Sequence, residues 1–147
     1  MIRDVLSSDF VKTEVNCPTW QDAVEAVGSI LKEHGKVEES FIQSMIDTVN
    51  ELGPYMILLP GLALFHGSPQ AGVHEACLSF ITFKEDVVFT EFDQQHIQCA
   101  FGFGAVDSDS HMGMLMQVAQ LLQDEEFIEL VRNHGSKEEI MRRIKLY

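Results

Sequence analysis

Residues 55–106 read YMILLPGLALFHGSPQAGVHEACLSFITFKEDVVFTEFDQQHIQCAFGFGAV, and inside them the apolar runs 55–59, 62–65, 77–83, 87–89 and 97–106 are continuous. Runs of that length, bounded by Gly, Pro and Asp, have the character of strands covered on both faces, so they predict a central sheet. Outward from this stretch the period changes. After Pro18 and Thr19, the residues Trp20, Ala23, Val24, Val27, Ile30 and Leu31 share one face of a helix that closes near Gly35. Ser40, Phe41, Met45, Ile46 and Val49 repeat the pattern in a helix that stops before Gly53 and Pro54. Asp107, Ser108, Asp109 and Ser110 supply candidate N-caps for a helix carrying Met114, Leu115, Val118, Ala119 and Leu122. Shorter helices fit 124–133 and 137–144, and 10–15 alternates as a first strand would. Helices at both ends with strands between them predict an α/β fold, a three-layer α/β/α sandwich. Several strand connections are too short for parallel crossovers, so the central sheet should be mixed.

No linker, repeat or low-complexity segment interrupts the 147 residues, and a single domain over 1–147 is expected. Ten Lys and Arg against 23 Asp and Glu give a formal charge of −13, which repels a nucleic-acid backbone and an anionic lipid surface. The longest apolar stretch, 54–65, is broken by Pro60 and Gly61 and falls short of the roughly 20 residues needed to cross a bilayer, so no membrane insertion is expected. Residues 1–10 lack the apolar region of a secretory signal. Cys17, Cys77 and Cys99 are odd in number and widely spaced, without a paired motif for a disulfide frame or a zinc site. Reduced thiols in a cytoplasmic protein are the simplest expectation.

Among the titratable residues His66 stands out. It ends the run Leu62, Ala63, Leu64, Phe65 and precedes Gly67, Ser68 and Pro69. A strand that delivers an imidazole to its end and then turns sharply presents a nucleophile on a rigid support. The same local pattern also suits a histidine that merely ends a strand and bonds to its loop, and His66 alone does not separate the two.

The surrounding residues do. Gly53, Pro54 and Tyr55, then Pro60 through His66, Pro69, Gly72, Val73 and the strand Leu78–Phe80 resemble the active-site region of the enzyme IIA components of bacterial phosphotransferase systems, in the mannitol/fructose superfamily and its ascorbate-type branch. The likeness extends to Trp20, Ala23 and Gly35 on one side, and to Asp107, His111, Leu115, Ala119, Leu121, Leu122, Asp124, Glu125 and Glu126 on the other. The resemblance implies a phosphoryl carrier, hence a phosphotransferase. The histidine at position 66 would accept a phosphoryl group from phosphorylated HPr and pass it to a cysteine of enzyme IIB. That protein in turn feeds a membrane IIC permease importing ascorbate or a pentitol- or pentose-like compound. The family places a second histidine beside the first, and here that position is His111. Two departures are visible: Phe65 stands where Pro is common, and Gly67 with Ser68 is nearer the mannitol-type arrangement.

This chemistry needs no cofactor or metal. Neutral imidazole keeps a lone pair on one ring nitrogen near pH 7, and in-line transfer asks the protein for positioning and for stabilisation of the equatorial oxygens. Between Lys36 and Lys84 there is neither Lys nor Arg, while a phosphoryl group adds about −1.5 to −2 charge. His111, the backbone N–H groups of Gly67 and Ser68 and the Ser68 hydroxyl are the local candidates to meet it, and a basic partner such as HPr is another. Two further readings stay open: a regulatory phosphohistidine module that senses flux and acts by binding partners, and a metal site built from His66, His111 and a carboxylate. Whether the chain forms a homodimer is also open. His96 and Cys99, three apart on a strand, should face opposite ways, His74 reads as a solvated loop histidine, and Gly102 and Gly104 lack the context of a dinucleotide loop. The three methionines Met112, Met114 and Met116 suggest core and contact surface, and 137–145, with four of the ten basic residues, reads as a solvated final helix.

Overall fold

The computed structural model describes residues 1–90 and 92–147, with Pro54 described by its backbone. In chain order it comprises α1 (Ile2–Val5), a 3-10 turn (Ser8–Phe10), β1 (Val11–Val15), α2 (Trp20–Glu33) and α3 (Glu39–Leu52). A second 3-10 turn (Gly53–Met56) leads to β2 (Ile57–Leu59), β3 (Gly61–His66), β4 (Cys77–Phe89) and β5 (Gln95–Gly104). Three helices follow, α4 (Ser108–Leu122), α5 (Glu125–Arg132) and α6 (Lys137–Ile144). The five strands form one sheet in the order β1-β4-β5-β3-β2. The pairs β1/β4 and β3/β5 are parallel, whereas β4/β5 and β2/β3 are antiparallel, so the sheet is mixed.

The period of two along each strand divides the core into two layers. Ala63 and Phe65 of β3, Ile81 and Phe83 of β4 and Ala100 of β5 pack with Trp20, Val24 and Leu31 of α2 and with Phe41, Met45 and Val49 of α3. Leu62 and Leu64, Leu78 and Phe80, and Phe101 and Phe103 face the other way, onto Met114, Val118, Phe127, Ile140 and Ile144. Helices therefore cover both faces, and the three-layer α/β/α expectation holds. Close approach of α2 to the sheet requires Gly102: a Cβ there would sit 2.7 Å from the Val27 Cβ and from the Ser79 hydroxyl, which itself donates to the Val27 carbonyl (2.8 Å). Gly102 is thus a packing glycine in a buried strand.

Three local readings change. The runs 77–83 and 87–89 belong to one strand, β4, whose register with β5 shifts between Thr82 and Val87; the charged Lys84, Glu85 and Asp86 lie in that bulge. The alternation of 10–15 begins one residue later, because Phe10 closes the 3-10 turn. The final helix is not simply solvated. Ile140, Met141 and Ile144 are buried, and Arg143 Nε donates to Asp124 Oδ2 at 2.6 Å.

Candidate functional site

The parallel pair β3/β5 brings its two carboxyl ends to the same end of the sheet, where ligands of open α/β sheets characteristically bind. His66 is the last residue of β3 and pairs with Phe103 of β5. It shares the parity of Leu62 and Leu64, so its ring emerges on the α4 side of the sheet. Pairing of β3 with β2 stops at Ala63, three residues short of His66. The histidine is half-buried and ends an internal strand, beyond the reach of β2.

The second histidine arrives by a different route. After Gly104 the chain turns, Asp107 caps α4 through a capping box, its Oδ1 accepting from the Ser110 N–H at 2.7 Å, and His111 follows in the first turn. The Ser110 N–H, helped by the Ser110 hydroxyl, holds the Asp107 carboxyl below the usual carboxylate range. The positive end of α4 is thus already met in part by Asp107. The rings of His66 and His111 lie with centroids 6.4 Å apart and planes 77° apart, and His111 leans edge-on against Phe103 at 5.1 Å. Phe103 is 2% exposed, a fixed platform opposite one histidine and under the other. Sequence reading missed it because an aromatic in a buried run looks like any core residue.

The His66 Nδ1 lies 3.5 Å from the Leu64 carbonyl, a long hydrogen bond within its own strand. If Nδ1 carries the proton and donates there, the lone pair resides on Nε2. Burial lowers the His66 pKa below the ordinary histidine value; the Leu64 carbonyl opposes that shift, and His111 adds to it. The neutral ring needed for nucleophilic attack is therefore the favoured form near neutral pH.

Ser68 points elsewhere than expected. The Ser68 N–H donates to Ser44 Oγ of α3 at 2.7 Å, and the Ser68 hydroxyl donates to Gln70 Oε1 at 2.9 Å. Both donors of Ser68 are committed within the protein, so they offer a phosphoryl group nothing unless those bonds open. Gly67 is glycine by contact: a Cβ there would come 2.5 Å from Ser44 Oγ and 3.0 Å from the Met45 backbone nitrogen. The loop after His66 is fastened further by the Ser40 hydroxyl donating to the Ala71 carbonyl (2.7 Å) and by the Glu38 N–H donating to the Gly72 carbonyl (2.8 Å). Glu38, Ser40 and Ser44 thus anchor the turn that ends β3. Their four-residue spacing from 40 to 44 was the one available signal. His74 pairs with Glu38 at 3.0 Å and His96 with Asp86 at 3.5 Å, both exposed and away from the histidine pair. Cys99 is buried while His96 is exposed, on opposite sides of β5. Among the described residues no group of three or more His, Cys, Asp or Glu could hold a metal, and no helix is long and apolar enough to cross a membrane.

The arrangement is one half-buried neutral imidazole with a second imidazole across a gap, on a rigid aromatic platform. Comparison with known proteins identifies the family. The family model described as phosphoenolpyruvate-dependent sugar phosphotransferase system, EIIA 2, matches residues 4–147. The ascorbate-specific PTS system EIIA component of Shigella boydii serotype 4 (strain Sb227) is 31% identical over 142 residues, 95% of this chain and 92% of that protein. The solution structure of the mannitol-specific cryptic phosphotransferase enzyme IIA of Escherichia coli is 27% identical, with a TM-score of 0.89 and 99% of both chains covered. The Escherichia coli complex of mannitol enzyme IIA with phosphorylated enzyme IIB shares the fold, at 23% identity and a TM-score of 0.81 over 95% of this chain and 96% of that one. A match over nearly the whole length, on a sheet that carries a histidine at the end of β3, places this chain in the EIIA type 2 family of phosphoenolpyruvate-dependent sugar phosphotransferase systems, whose components are phosphotransferases.

Proposed function

We propose that His66 accepts a phosphoryl group from phosphorylated HPr at Nε2 and hands it to a cysteine of the cognate enzyme IIB. In the first step the Nε2 lone pair attacks phosphorus in line as the N–P bond to the HPr histidine breaks. In the second the IIB thiolate attacks and Nε2 leaves with its lone pair restored. No proton has to be removed from His66 in either direction, so no general base is needed. The observation that carries the reading is the pair His66 and His111 with 6.4 Å between centroids. That separation leaves room for a phosphoryl group on one ring to be hydrogen-bonded by the other. His111 is assigned the role of donating to the equatorial oxygens, with the Gly67 N–H as a further candidate and Ser68 available after its bonds open.

The site itself supplies little positive charge, and the chain is strongly acidic. A basic partner surface brought against it would supply the cation and speed encounter, which suits a transient donor such as HPr. Exposed Val106, just before α4, and Met112 and Met116 on α4 offer adaptable apolar contact to such partners. The relatives named as ascorbate-specific support ascorbate, or a similar compound, as the substrate imported by the IIC permease of the same system. A cytoplasmic place of action follows from that assignment.

The test is reconstitution. Purified chain, phosphorylated HPr, the cognate IIB and membranes carrying the permease should phosphorylate labelled L-ascorbate. His111→Ala should slow transfer from HPr roughly 10- to 100-fold while leaving the final extent of phosphorylation unchanged. A His111→Ala rate equal to the parent rate removes the assisting role, and no labelled product with an intact phosphoryl carrier removes the substrate assignment.

A further inference from the structure

A cavity of about 640 Å³ opens where α1, the segment leading into β1 and α6 meet. Arg3, Lys137, Arg142 and Lys145 line it, four of the ten cations in a chain of formal charge −13. Among the described residues none of the four forms an ion pair within 4.0 Å, although the chain holds 23 carboxylate side chains. Helix dipoles favour Arg142 in the last turn of α6, Lys145 at its C-cap and Arg3 in the last turn of α1, but not Lys137. Lys137 occupies the first position of α6, where the helix dipole disfavours a cation. Glu138 also lies on the wall and stands four residues before Arg142, an order that pairs well on a helix, yet Arg142 is left unpaired. Arg3 comes from a separate element at the other end of the sequence. Leu6 and Met141, both buried, form an apolar floor, and the hydroxyls of Ser7 and Ser8 stand beside it.

Because β1 runs antiparallel to β3 and β5, residues 6–8 lie at the same end of the sheet as His66 but at the far edge, three strands across. At about 4.8 Å per strand this is about 14 Å of lateral separation, and neither His66 nor His111 lines the cavity. Four cations that form no ion pair, against the single carboxylate of Glu138 on the same wall, favour an anion in that space. A volume of this size with a few polar groups around an apolar floor suits a small ligand.

We propose that this cavity binds a phosphate-bearing anion, its charge met by Arg3, Lys137, Arg142 and Lys145 and the body of the ester resting on Leu6 and Met141. A free organic phosphate and a phospholipid headgroup present the same chemistry, and the experiment separates them. The full chain, labelled with nitrogen-15, is titrated with inorganic pyrophosphate, and in parallel sedimented with vesicles of phosphatidylglycerol or of phosphatidylcholine. Saturable amide shifts at Ser7, Ser8 and Met141 are expected, and the double variant R142Q/K145Q should bind at least about ten-fold more weakly. The charge-matched double variant K32Q/K84Q should bind like the parent. Sedimentation with phosphatidylglycerol alone, lost in R142Q/K145Q, assigns the lipid source; pyrophosphate binding without it assigns a free phosphate. The proposal is overturned if neither probe binds, if K32Q/K84Q weakens binding as much as R142Q/K145Q, or if the shifts gather around His66 and His111 instead.

Discussion

His66→Ala, incubated with phosphoenolpyruvate, enzyme I and HPr, should gain no mass, while the parent protein gains about 80 Da, one phosphoryl group. The other thiols and imidazoles are less suited to accept the group. The Cys17 and Cys77 thiols are pushed up to about 11 and about 12 by burial, and burial raises Cys99 further still. All three are therefore protonated and shielded at neutral pH. His34 lies 2.8 Å from the Ile30 carbonyl, while His74, His96 and His134 each face a carboxylate, Glu38, Asp86 and Glu14. A neighbouring carboxylate repels an incoming phosphoryl group. His111 is left as the one alternative acceptor beside the site, and it lacks the strand-end support that fixes His66. Intact mass after the reaction is the readout. Because the His66 ring is half-buried, truncation should leave the circular dichroism spectrum of the parent, and uptake of a phosphoryl group by a folded His66→Ala protein would mean another residue is the acceptor.

Asp124→Ala should lower stability by about 3 kcal/mol, or roughly 6–12 °C in Tm for a chain of this size. The Asp124 side chain is 2% exposed and carries three bonds. Its Oδ2 accepts from Arg143 Nε (2.6 Å) and from the Tyr147 hydroxyl (2.8 Å), and its Oδ1 caps α5 by accepting from the Phe127 N–H (3.1 Å). One carboxylate thus joins the start of α5 to the end of α6 and to the last residue of the chain. Burial pushes its pKa up, but the bonds from Arg143, Tyr147 and the Phe127 N–H outweigh that and hold it below the ordinary value of 3.8. A depressed folded-state pKa contributes stability that is fully present above the unfolded value and is lost as the pH falls through the folded one. The gap in Tm between parent and Asp124→Ala should therefore be full at pH 7 and narrow below pH 3.8. A gap under about 2 °C at pH 7 would mean that the three bonds contribute little net stability.

How much of this was legible beforehand depended on whether the relevant partners were local. The strands β3 and β5 were readable because both their faces are buried, which writes an unbroken apolar run into the chain. The helix α2 was readable from its 3.6-residue stripe and from Thr19, which caps it by accepting from the Asp22 N–H. The bulge in β4 was not, since Lys84, Glu85 and Asp86 look like a turn between two strands when only neighbours are considered. The short α1 is a single turn and leaves no periodic trace. The role of α6 was hidden for a different reason: Arg143 answers a carboxylate 19 residues away, and nothing in the residues 137–145 announces that.

The site divides in the same way. His66 was marked by its own strand and turn, whereas its meeting with His111, 45 positions later in the sequence, entered through resemblance to a family, and the geometry then brought the two rings together. The commitment of the Ser68 N–H to Ser44 could not be read locally either, because the two are separated by 24 residues and joined only when α3 packs beneath the loop. Backbone donors that look free in a Gly-Ser turn are free only if no helix claims them.

A phosphorylated carrier of this kind is defined by which atom of which ring holds phosphorus. Long-range nitrogen-15 to proton spectra of the phosphorylated protein, with coupling to phosphorus-31, identify that atom directly. Attachment at Nε2 of His66, with Nδ1 of the same ring protonated toward the Leu64 carbonyl, is the expected result. Phosphorus on Nδ1 of His66, or on His111, would contradict it.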